Sequence, residues 1–383
     1  MIMKIGNKEK ILYLLVDKKI KPTKFMDIYR QNRGNMNKTF EHFLKYENLK
    51  LNLEEGKRNN DNTEISMHKG DRYEYFKIID FVFKNKVDLL CIGDDGYPDI
   101  LKQVYSPPLL LFFKGNKIKE MEFGIAIVGS RKCTAYGREA AGYISGNLSE
   151  MGITVVSGLA VGIDSYAHKA ALEGKGGTIG VLGCGIDIVY PPENKLLYDE
   201  IALNGSIITE FFPKTPPLKS NFPVRNRIIS GLCRGVIVIE AGEKSGAVIT
   251  CEMALKQDRE VFAVPGNIFS PASRGCHKLI KSGAKLVERI DDILEEFSQY
   301  QENLRLCSNY DHKDHMKPHA RQDTGIQGNE ARIYEFIGYR AKSVEEIVRY
   351  SKMEVKEVLG ILASLEIKQL IREDSFNKYS RLF

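Results

Sequence analysis

The chain has 383 residues, of which 43% are hydrophobic and 28% are charged. This composition indicates an ordinary globular protein, and the length predicts two or three domains. The net charge is +6, but residues 1–60 alone hold 14 basic and 7 acidic side chains, so the rest of the chain is close to neutral. A basic binding site beyond residue 60 must therefore come from local clustering of cations.

The cysteines and the apolar runs bear on the cellular compartment. Seven cysteines are scattered singly, with no CxxC pair. Such a set is typical of reduced thiols rather than of a disulfide framework. The apolar patch near the start is too short for a signal peptide, and no run approaches the roughly 20 residues of a membrane span. We expect a cytoplasmic protein that does not enter a membrane.

Residues 1–120 are predicted to form a small helical domain that ends in a proline-bearing connector. Helical patches occur around Ile11 and Phe40, and the polar stretch EEGKRNNDNTE follows them. The connector DDGYPDILKQVYSPPLLLFFKG contains three prolines, Pro98, Pro107 and Pro108. Proline lacks a backbone N–H and disfavours helix before it, so this segment should be extended or turned.

Residues 121–298 alternate short apolar runs with helical patterns. The predicted strands are GIAIVG, ITVVSG, TIGVLG, SIITE, GVIVIEA and EVFAVPG. Continuous apolar strands between helices predict a mostly parallel sheet covered on both faces. The fold class is therefore α/β with a doubly wound, Rossmann-like sheet, whose ligand site should lie at the carboxyl ends of the strands.

Residues 299–328 form a polar segment that predicts a flexible linker. Its histidines, His312, His315 and His319, have no cysteine partners, so a solvated linker is favoured over a metal site. Residues 329–383 predict three helices and a terminal strand, typical of a winged-helix-like module. Ser343 and Glu346 fit a capping box at the start of its second helix.

Two strand ends carry residues suited to binding an anion. The first strand ends in Gly129, Ser130 and Arg131, and a helix follows near Tyr136. Glycine allows a tight turn, serine and arginine can bind phosphate, and a helix start offers free N–H groups. The second strand leads into SGLAVGID, where Gly158 and Gly162 keep side chains away and Asp164 is a candidate helix N-cap.

The stretch NFPVRNRIISG adds cations and a ring at the same rim. Lys219, Phe222, Arg225 and Arg227 lie within nine residues, and Phe222 and Pro223 come just before a helix predicted over NRIISGLC. In an extended backbone the two arginines would point to one side. Cations beside an aromatic ring are what single-stranded nucleic acid requires. The alternative is an exposed basic turn with a buried phenylalanine.

Several catalytic signatures are missing from the sequence. There is no GxGxxG, GxxxxGK[ST], GxSxG or HExxH motif. His168 follows Asp164 by four residues and could be a base with its orienting acid, but no nucleophile lies beside it. A structural hydrogen bond is the favoured interpretation of His168. We expect no catalytic residues, no metal and no cofactor.

The motifs together resemble one known family. IVGSRKCTAYG, VVSGLAVGIDSYAHKAAL, VLGCGIDIVYPPENKLL, FPVRNRIISGL, SGAVITCEMALKQDREVFAVPG and GCHKLIKSGAKLV follow in the order seen in the DprA/Smf family of bacterial natural transformation. The resemblance covers roughly residues 97–297. It implies an extended Rossmann domain with a small helical (SAM-like) domain before it and a winged-helix-like module after it.

The resemblance also implies a function and a set of site residues. The family binds single-stranded DNA without chemistry, forms dimers and loads a RecA-type recombinase onto incoming strands. The implied DNA-binding residues are Ser130, Arg131, Tyr136, Gly158, Lys219, Phe222, Arg225, Asn226 and Arg227. The implied loop-shaping residues are Gly129, Gly162, Asp164, Gly246 and Thr250.

Two alternatives remain open at this point. The chain is distantly similar to nucleoside-monophosphate phosphoribohydrolases, which would make it a nucleotide-binding enzyme. The matching region here reads GEKSGAVITCE, without the double glycine and with Glu252 displaced by one position, which argues against hydrolysis. Alternatively, the winged-helix-like tail binds the main partner and the Rossmann pocket is only structural.

Overall fold

The computed structural model describes residues 7–16, 20–46, 69–115, 117–300, 326–337, 341–368, 370–375 and 377–381. Its first part is helical, with α1 (Asn7–Val16), α2 (Pro22–Gln31), α3 (Met36–Tyr46) and α4 (Lys69–Lys84). Phe25, Phe40 and Phe43 are fully buried among these helices. The predicted helical patches around Ile11 and Phe40 therefore lie in real helices.

The expected connector does more than join two regions. It contains β1 (Asp88–Cys91), α5 (Asp99–Lys102) and β2 (Leu110–Gly115), followed by α6 (Lys117–Glu120). β1 pairs antiparallel with β2, and β2 pairs antiparallel with a strand of the main sheet. The run LLLFFKG is apolar because β2 is buried, with Leu111, Phe112 and Phe113 almost fully covered.

The rest of the main sheet is built from strands and helices in alternation. The strands are β3 (Gly124–Val128), β4 (Thr154–Ser157), β5 (Thr178–Val181), β6 (Ser206–Thr209), β7 (Gly235–Val238), β8 (Glu260–Ala263) and β9 (Lys285–Leu286). The helices are α7 (Ala135–Glu150), α8 (Ile163–Leu172), α9 (Lys195–Asn204), α10 (Asn221–Gly231), α11 (Gly246–Lys256), α12 (Arg274–Lys281) and α13 (Ile290–Leu294). The six strands predicted from the apolar runs are all present.

The nine strands lie in the order β1-β2-β6-β5-β4-β3-β7-β8-β9, and β3 to β9 are parallel. Both faces of the sheet are buried, because Ile125 and Ile127 face one apolar cluster and Ala126 and Val128 face the other. This explains why the strands are continuously apolar. The chain reverses its direction of winding at β3, between β4 and β7, which makes a topological switch point where α/β sheets bind ligands.

The C-terminal module has its own core. It contains α14 (Asn329–Ile337), β10 (Lys342–Ser343), α15 (Val344–Ser351), α16 (Val355–Ile367), β11 (Ile371–Ser375) and β12 (Lys378–Arg381). Its buried cluster includes Ile333, Ile347 and Leu362 and is separate from the clusters of the large sheet. The capping box of Ser343 and Glu346 is confirmed. The three linker histidines lie outside the described residues.

None of the helices in the described ranges combines the length and the apolar character needed to cross a bilayer.

Candidate nucleic-acid interface

The loops that follow β3 and β4 touch each other through backbone. The Ile163 N–H donates to the Ser130 carbonyl at 3.1 Å. Gly162 has a φ of +87°, and a Cβ there would overlap the Ser130 carbonyl oxygen, so only glycine fits this approach. A Cβ on Gly129 would lie 2.6 Å from the Ile163 side chain. The glycines thus hold the GSR and SGLAVGID loops together at the carboxyl edge.

Phe222 lies against the loop after β5. A Cβ on Gly183 would lie 2.9 Å from Cδ1 of Phe222, so the ring rests directly on this glycine. The Tyr190 ring lies beside it, with centroids 5.6 Å apart. The expected extended backbone around Phe222 is wrong, because α10 already begins at Asn221. Pro223 is compatible with that because proline is tolerated in the first helical turn.

Arg131 lies over this ring. Its guanidinium carbon is 5.5 Å from the Phe222 centroid, a cation–π distance. The side chain is exposed, and no ion pair within the described ranges includes it. Lys219 is also exposed, three residues before Phe222. The rim therefore presents cations beside an aromatic surface.

Arg225 does not belong to that exposed surface. It is only 5% exposed, and its Nη1 donates to the Gly158 carbonyl at 2.8 Å and to the Val181 carbonyl. Burial lowers the pKa of Arg225 to about 10, so it remains charged at neutral pH. The expected phosphate contact is not available to this buried side chain. Its guanidinium instead fixes the loops after β4 and β5, and its Nε donates to Asn226 Oδ1 at 3.1 Å.

Arg227 is also occupied by the protein itself. It forms an ion pair with Glu210, and both side chains are largely covered. Burial raises the pKa of Glu210, while the guanidinium of Arg227 opposes that rise. Lys219 and Arg225 each lie three residues from Phe222 in the sequence, but Lys219 is exposed and Arg225 is buried. Arg227 is paired with Glu210. The two arginines do not share one side of an extended strand as expected.

Asp164 organises the loop after β4 rather than capping α8. Its carboxylate accepts from the Gly158 N–H at 3.1 Å and from the Ala160 N–H at 3.4 Å. Burial raises the pKa of Asp164, whereas Arg225 and the two N–H groups lower it. The N-cap position of α8 is Gly162. The predicted N-cap role of Asp164 is therefore wrong, and its actual role is to shape the loop.

His168 makes a structural contact. Its Nδ1 lies 2.6 Å from Oγ1 of Thr178, and the side chain is completely buried. Burial lowers the pKa of His168 to about 3, so the imidazole is neutral at physiological pH. The contact with Thr178 supports the structural interpretation over a base paired with Asp164.

An acid that the sequence analysis did not single out sits under the start of α7. The buried carboxylate of Glu240 accepts from the Thr134 N–H at 2.8 Å and from its hydroxyl at 2.6 Å. Thr134 in turn caps α7 by accepting from Gly137 N–H. A negative charge is stabilised at a helix N-terminus. Glu240 thereby positions the GSR loop. The sequence could have indicated this acid, because it lies at the end of the predicted strand GVIVIEA.

Other predicted residues lie at the same edge but farther from Phe222. The Tyr136 hydroxyl donates to the Pro265 carbonyl at 2.7 Å, which turns this ring toward the loop after β8. Gly246 begins α11, and Thr250 donates to its carbonyl at 3.2 Å. Glu252, the candidate hydrolytic acid, is exposed on α11. The structure brings Arg131, Phe222 and Lys219 toward one rim and leaves Tyr136, Gly246 and Thr250 beside it. Gly158, which was expected to contact DNA, is buried, with its N–H bonded to Asp164 and its carbonyl to Arg225.

Four further residues shape the interface. Gly183 and Tyr190 contact the Phe222 ring, and their motif VLGCGIDIVYPPEN ends a strand as GSR does, so the same reasoning could have found them. Leu159 is buried with a φ of +55°, an uncommon conformation for a side chain of this type. Asn194 Nδ2 donates to the Leu159 carbonyl at 2.9 Å and supports this turn. No sequence pattern signals that conformation.

Comparison with known proteins agrees with this architecture. The family described as "DNA recombination-mediator protein A" matches residues 88–298, and "DprA winged helix domain" matches residues 317–375. The chain belongs to the DprA/Smf family. The matched range begins at β1, which agrees with the inclusion of β1 and β2 in the sheet.

Individual DprA/Smf proteins are similar over much of their length. DNA processing protein DprA of Streptococcus pneumoniae is 47% identical over 227 residues, which are 58% of this chain and 80% of that protein. Protein Smf of Escherichia coli is 38% identical over 280 residues, 73% of each chain. The X-ray structure of the Streptococcus pneumoniae protein superposes with a TM-score of 0.59 and 39% identity, covering 77% of this chain and 99% of that one.

A second solved DprA structure is relevant to the ligand. It is described as showing the single-stranded DNA binding mode of DNA processing protein A from Helicobacter pylori. It superposes with a TM-score of 0.51 and 28% identity, covering 56% of this chain and 96% of that one.

Proposed function

We propose that this chain binds single-stranded DNA at the rim formed by Arg131, Lys219 and Phe222, without catalysing a reaction. The observation that carries the proposal is the exposed Arg131 guanidinium over a ring that the protein has fixed in place. An aromatic ring with neighbouring cations can bind both parts of a single strand, because the ring stacks on a base and the cations bind phosphates. The Helicobacter pylori relative supports the choice of ligand.

The residues divide into contacting and positioning roles. Arg131 and Lys219 bind phosphates, Phe222 stacks a base, and the loop at Ser130 lines the path. Gly158 has a positioning role, because its N–H is bonded to Asp164 and its carbonyl to Arg225. Arg225, Asp164 and Glu240 act indirectly by holding the loops after β3, β4 and β5. Arg227 and Asn226, which bond to Glu210 and Arg225, are assigned to the same positioning group.

Duplex DNA should bind more weakly at this rim. Phe222 is partly buried, with Gly183 and Tyr190 against its ring and two guanidinium groups over it. A base must therefore turn out of its strand to reach the ring. The bases of a duplex are stacked on one another and cannot reach such a ring, whereas a single strand can turn a base outward. The selectivity therefore arises from stacking, while the phosphate contacts contribute to either ligand.

The wider role proposed here follows the family. In it, a cytoplasmic homodimer would protect incoming strands and load a RecA-type recombinase during natural transformation. One rim covers only a few nucleotides, so two rims on a dimer would raise the affinity for a long strand. These partners require separate tests with the recombinase and by light scattering.

The decisive experiment measures oligo-dT binding against salt for the wild type and for Arg131→Ala/Phe222→Leu. Losing one stacked base should cost roughly 1–3 kcal/mol, and losing one phosphate contact should reduce the salt slope by about 0.7. We expect at least a tenfold weaker Kd for the single strand and a smaller effect on the matching duplex.

A matched control separates this effect from loss of charge. Lys256 is exposed at the end of α11, at the opposite edge of the sheet from the rim. Lys256→Ala should leave both the Kd and the salt slope unchanged. Wild-type binding by the Arg131→Ala/Phe222→Leu variant would show that the DNA site lies elsewhere.

A further inference from the structure

The C-terminal module carries two rings and two cations in one cluster, which we call the α14–α15 stack. Phe336 of α14 and Tyr350 of α15 lie face to face, with centroids 3.8 Å apart and planes 6° from parallel. The Arg332 guanidinium is 5.5 Å from the Tyr350 centroid, and the Lys342 ammonium is 5.1 Å from the Phe336 centroid. Phe336 packs against the buried apolar core of the module, and the other three side chains are not part of that core.

The stack is open to solvent and its cations are not neutralised. Tyr350 is 42% exposed, and Arg332 and the neighbouring Arg349 are exposed as well. Among the ion pairs of the described residues, none uses Arg332 or Lys342, while the nearby acid Glu330 is paired with Lys368 at 2.7 Å. The donors of both cations therefore face rings and water.

The third helix of the module exposes several apolar side chains. Its exposed side chains include Val355, Leu359 and Ile367. A helix that reads the major groove needs side chains that hydrogen-bond to base edges or phosphates. Lys356 and Glu357 are exposed beside these apolar side chains, so the surface of α16 is mixed, whereas the α14–α15 stack combines a ring with cations.

We propose that the α14–α15 stack is a second binding site for single-stranded DNA, distinct from the Phe222 rim. A base stacks on the exposed part of Tyr350, while Arg332, Lys342 and Arg349 bind the adjacent phosphates. Phe336 holds the Tyr350 ring in a fixed orientation from the other side. Such a site is tolerant of sequence because every base has a face that can stack.

The test uses the full chain with the rim disabled by Arg131→Ala/Phe222→Leu. Residual binding of a fluorescent 30-nucleotide oligo-dT is compared before and after adding Tyr350→Leu, and separately Arg332→Ala/Lys342→Ala. Loss of one stacked base should weaken the residual Kd by about tenfold. Loss of the two cations should lower the salt slope by about 1.4. The cation variant removes no ring, so it probes the site without disturbing the packing of α14 and α15.

Controls distinguish this site from the rim and from a folding defect. Tyr350→Phe keeps the ring and should keep the residual affinity, and Tyr105→Leu, which removes a tyrosine that is 85% exposed elsewhere, should change nothing. An unchanged Kd and salt slope in both stack variants would overturn the inference. So would a complete loss of binding in the rim variant alone, which would leave the rim proposal standing. If the wild type fails to bind oligo-dT, both proposals fall.

Discussion

Two arginines of the interface have opposite environments, and the difference decides what each contributes. Arg131 is exposed over Phe222, while Arg225 is buried and donates to the Gly158 and Val181 carbonyls. The sequence places both among glycines and strand ends, so composition cannot separate them. The burial of Arg225 depends on α10 lying across the ends of β4 and β5, which only the folded chain defines.

This contrast predicts different outcomes for two substitutions. Arg225→Met should lower the free energy of unfolding by roughly 3–5 kcal/mol, because it removes the positive charge near the buried Asp164 and leaves the Gly158 and Val181 carbonyls without their donor. Arg131→Ala should change it by less than about 0.5 kcal/mol, as is usual at an exposed position. Urea unfolding followed by circular dichroism measures both. Equal stability of the two variants would contradict the positioning role of Arg225.

At the scale of the element, α10 places the ring of Phe222 against Gly183, in the loop after β5. The helix was predicted to begin at Asn226, yet it begins at Asn221, because Pro223 fits a first turn and the NFP segment needs no extended backbone. The six strands and the capping box at Ser343 were predictable, since apolar runs and capping residues act locally. The contact of Phe222 with Gly183 joins residues 39 positions apart, and no local pattern announces it.

A side chain introduced at Gly183 should weaken DNA binding without unfolding the domain. A Cβ on Gly183 would lie 2.9 Å from Phe222 Cδ1, so Gly183→Val must push the ring from its place. We expect a Kd for oligo-dT several-fold higher than that of the wild type, measured by fluorescence anisotropy. Gly142→Ala is the matched control, because a Cβ there meets nothing within 4 Å. Unchanged binding by Gly183→Val would mean that the ring position is not important.

At the scale of the whole molecule, the N-terminal region completes the large sheet. β2 covers the edge of β6 over four residue pairs, and β1 extends the sheet beyond β2. The sequence predicted a connector here because three prolines interrupt it, and the pairing partner of β2 lies about 90 residues later in the chain. Long-range pairing of this kind is set by the fold and is not visible in the local pattern.

Removal of residues 1–120 should therefore leave β6 as an exposed edge strand of the sheet. Without β2, the backbone of β6 is unpaired on one side, and an exposed strand edge promotes aggregation. We expect this truncation to form large species in size-exclusion chromatography with light scattering. Removal of residues 299–383 is the control, since it leaves all nine strands paired. A monodisperse product from the first truncation would show that β1 and β2 are dispensable.

The regular spacing of the parallel strands also sets the length of single-stranded DNA that the rim can contact. The loops that form the rim follow β3, β4 and β5, which are adjacent in the sheet. Neighbouring strands lie about 4.8 Å apart, so these three loops span roughly 10 Å. Phosphates in a stacked single strand follow one another about every 3.4 Å, so each protein molecule contacts about three phosphates. The number of protein molecules bound at saturation should consequently grow in proportion to strand length, because each of them contacts only a short run of nucleotides.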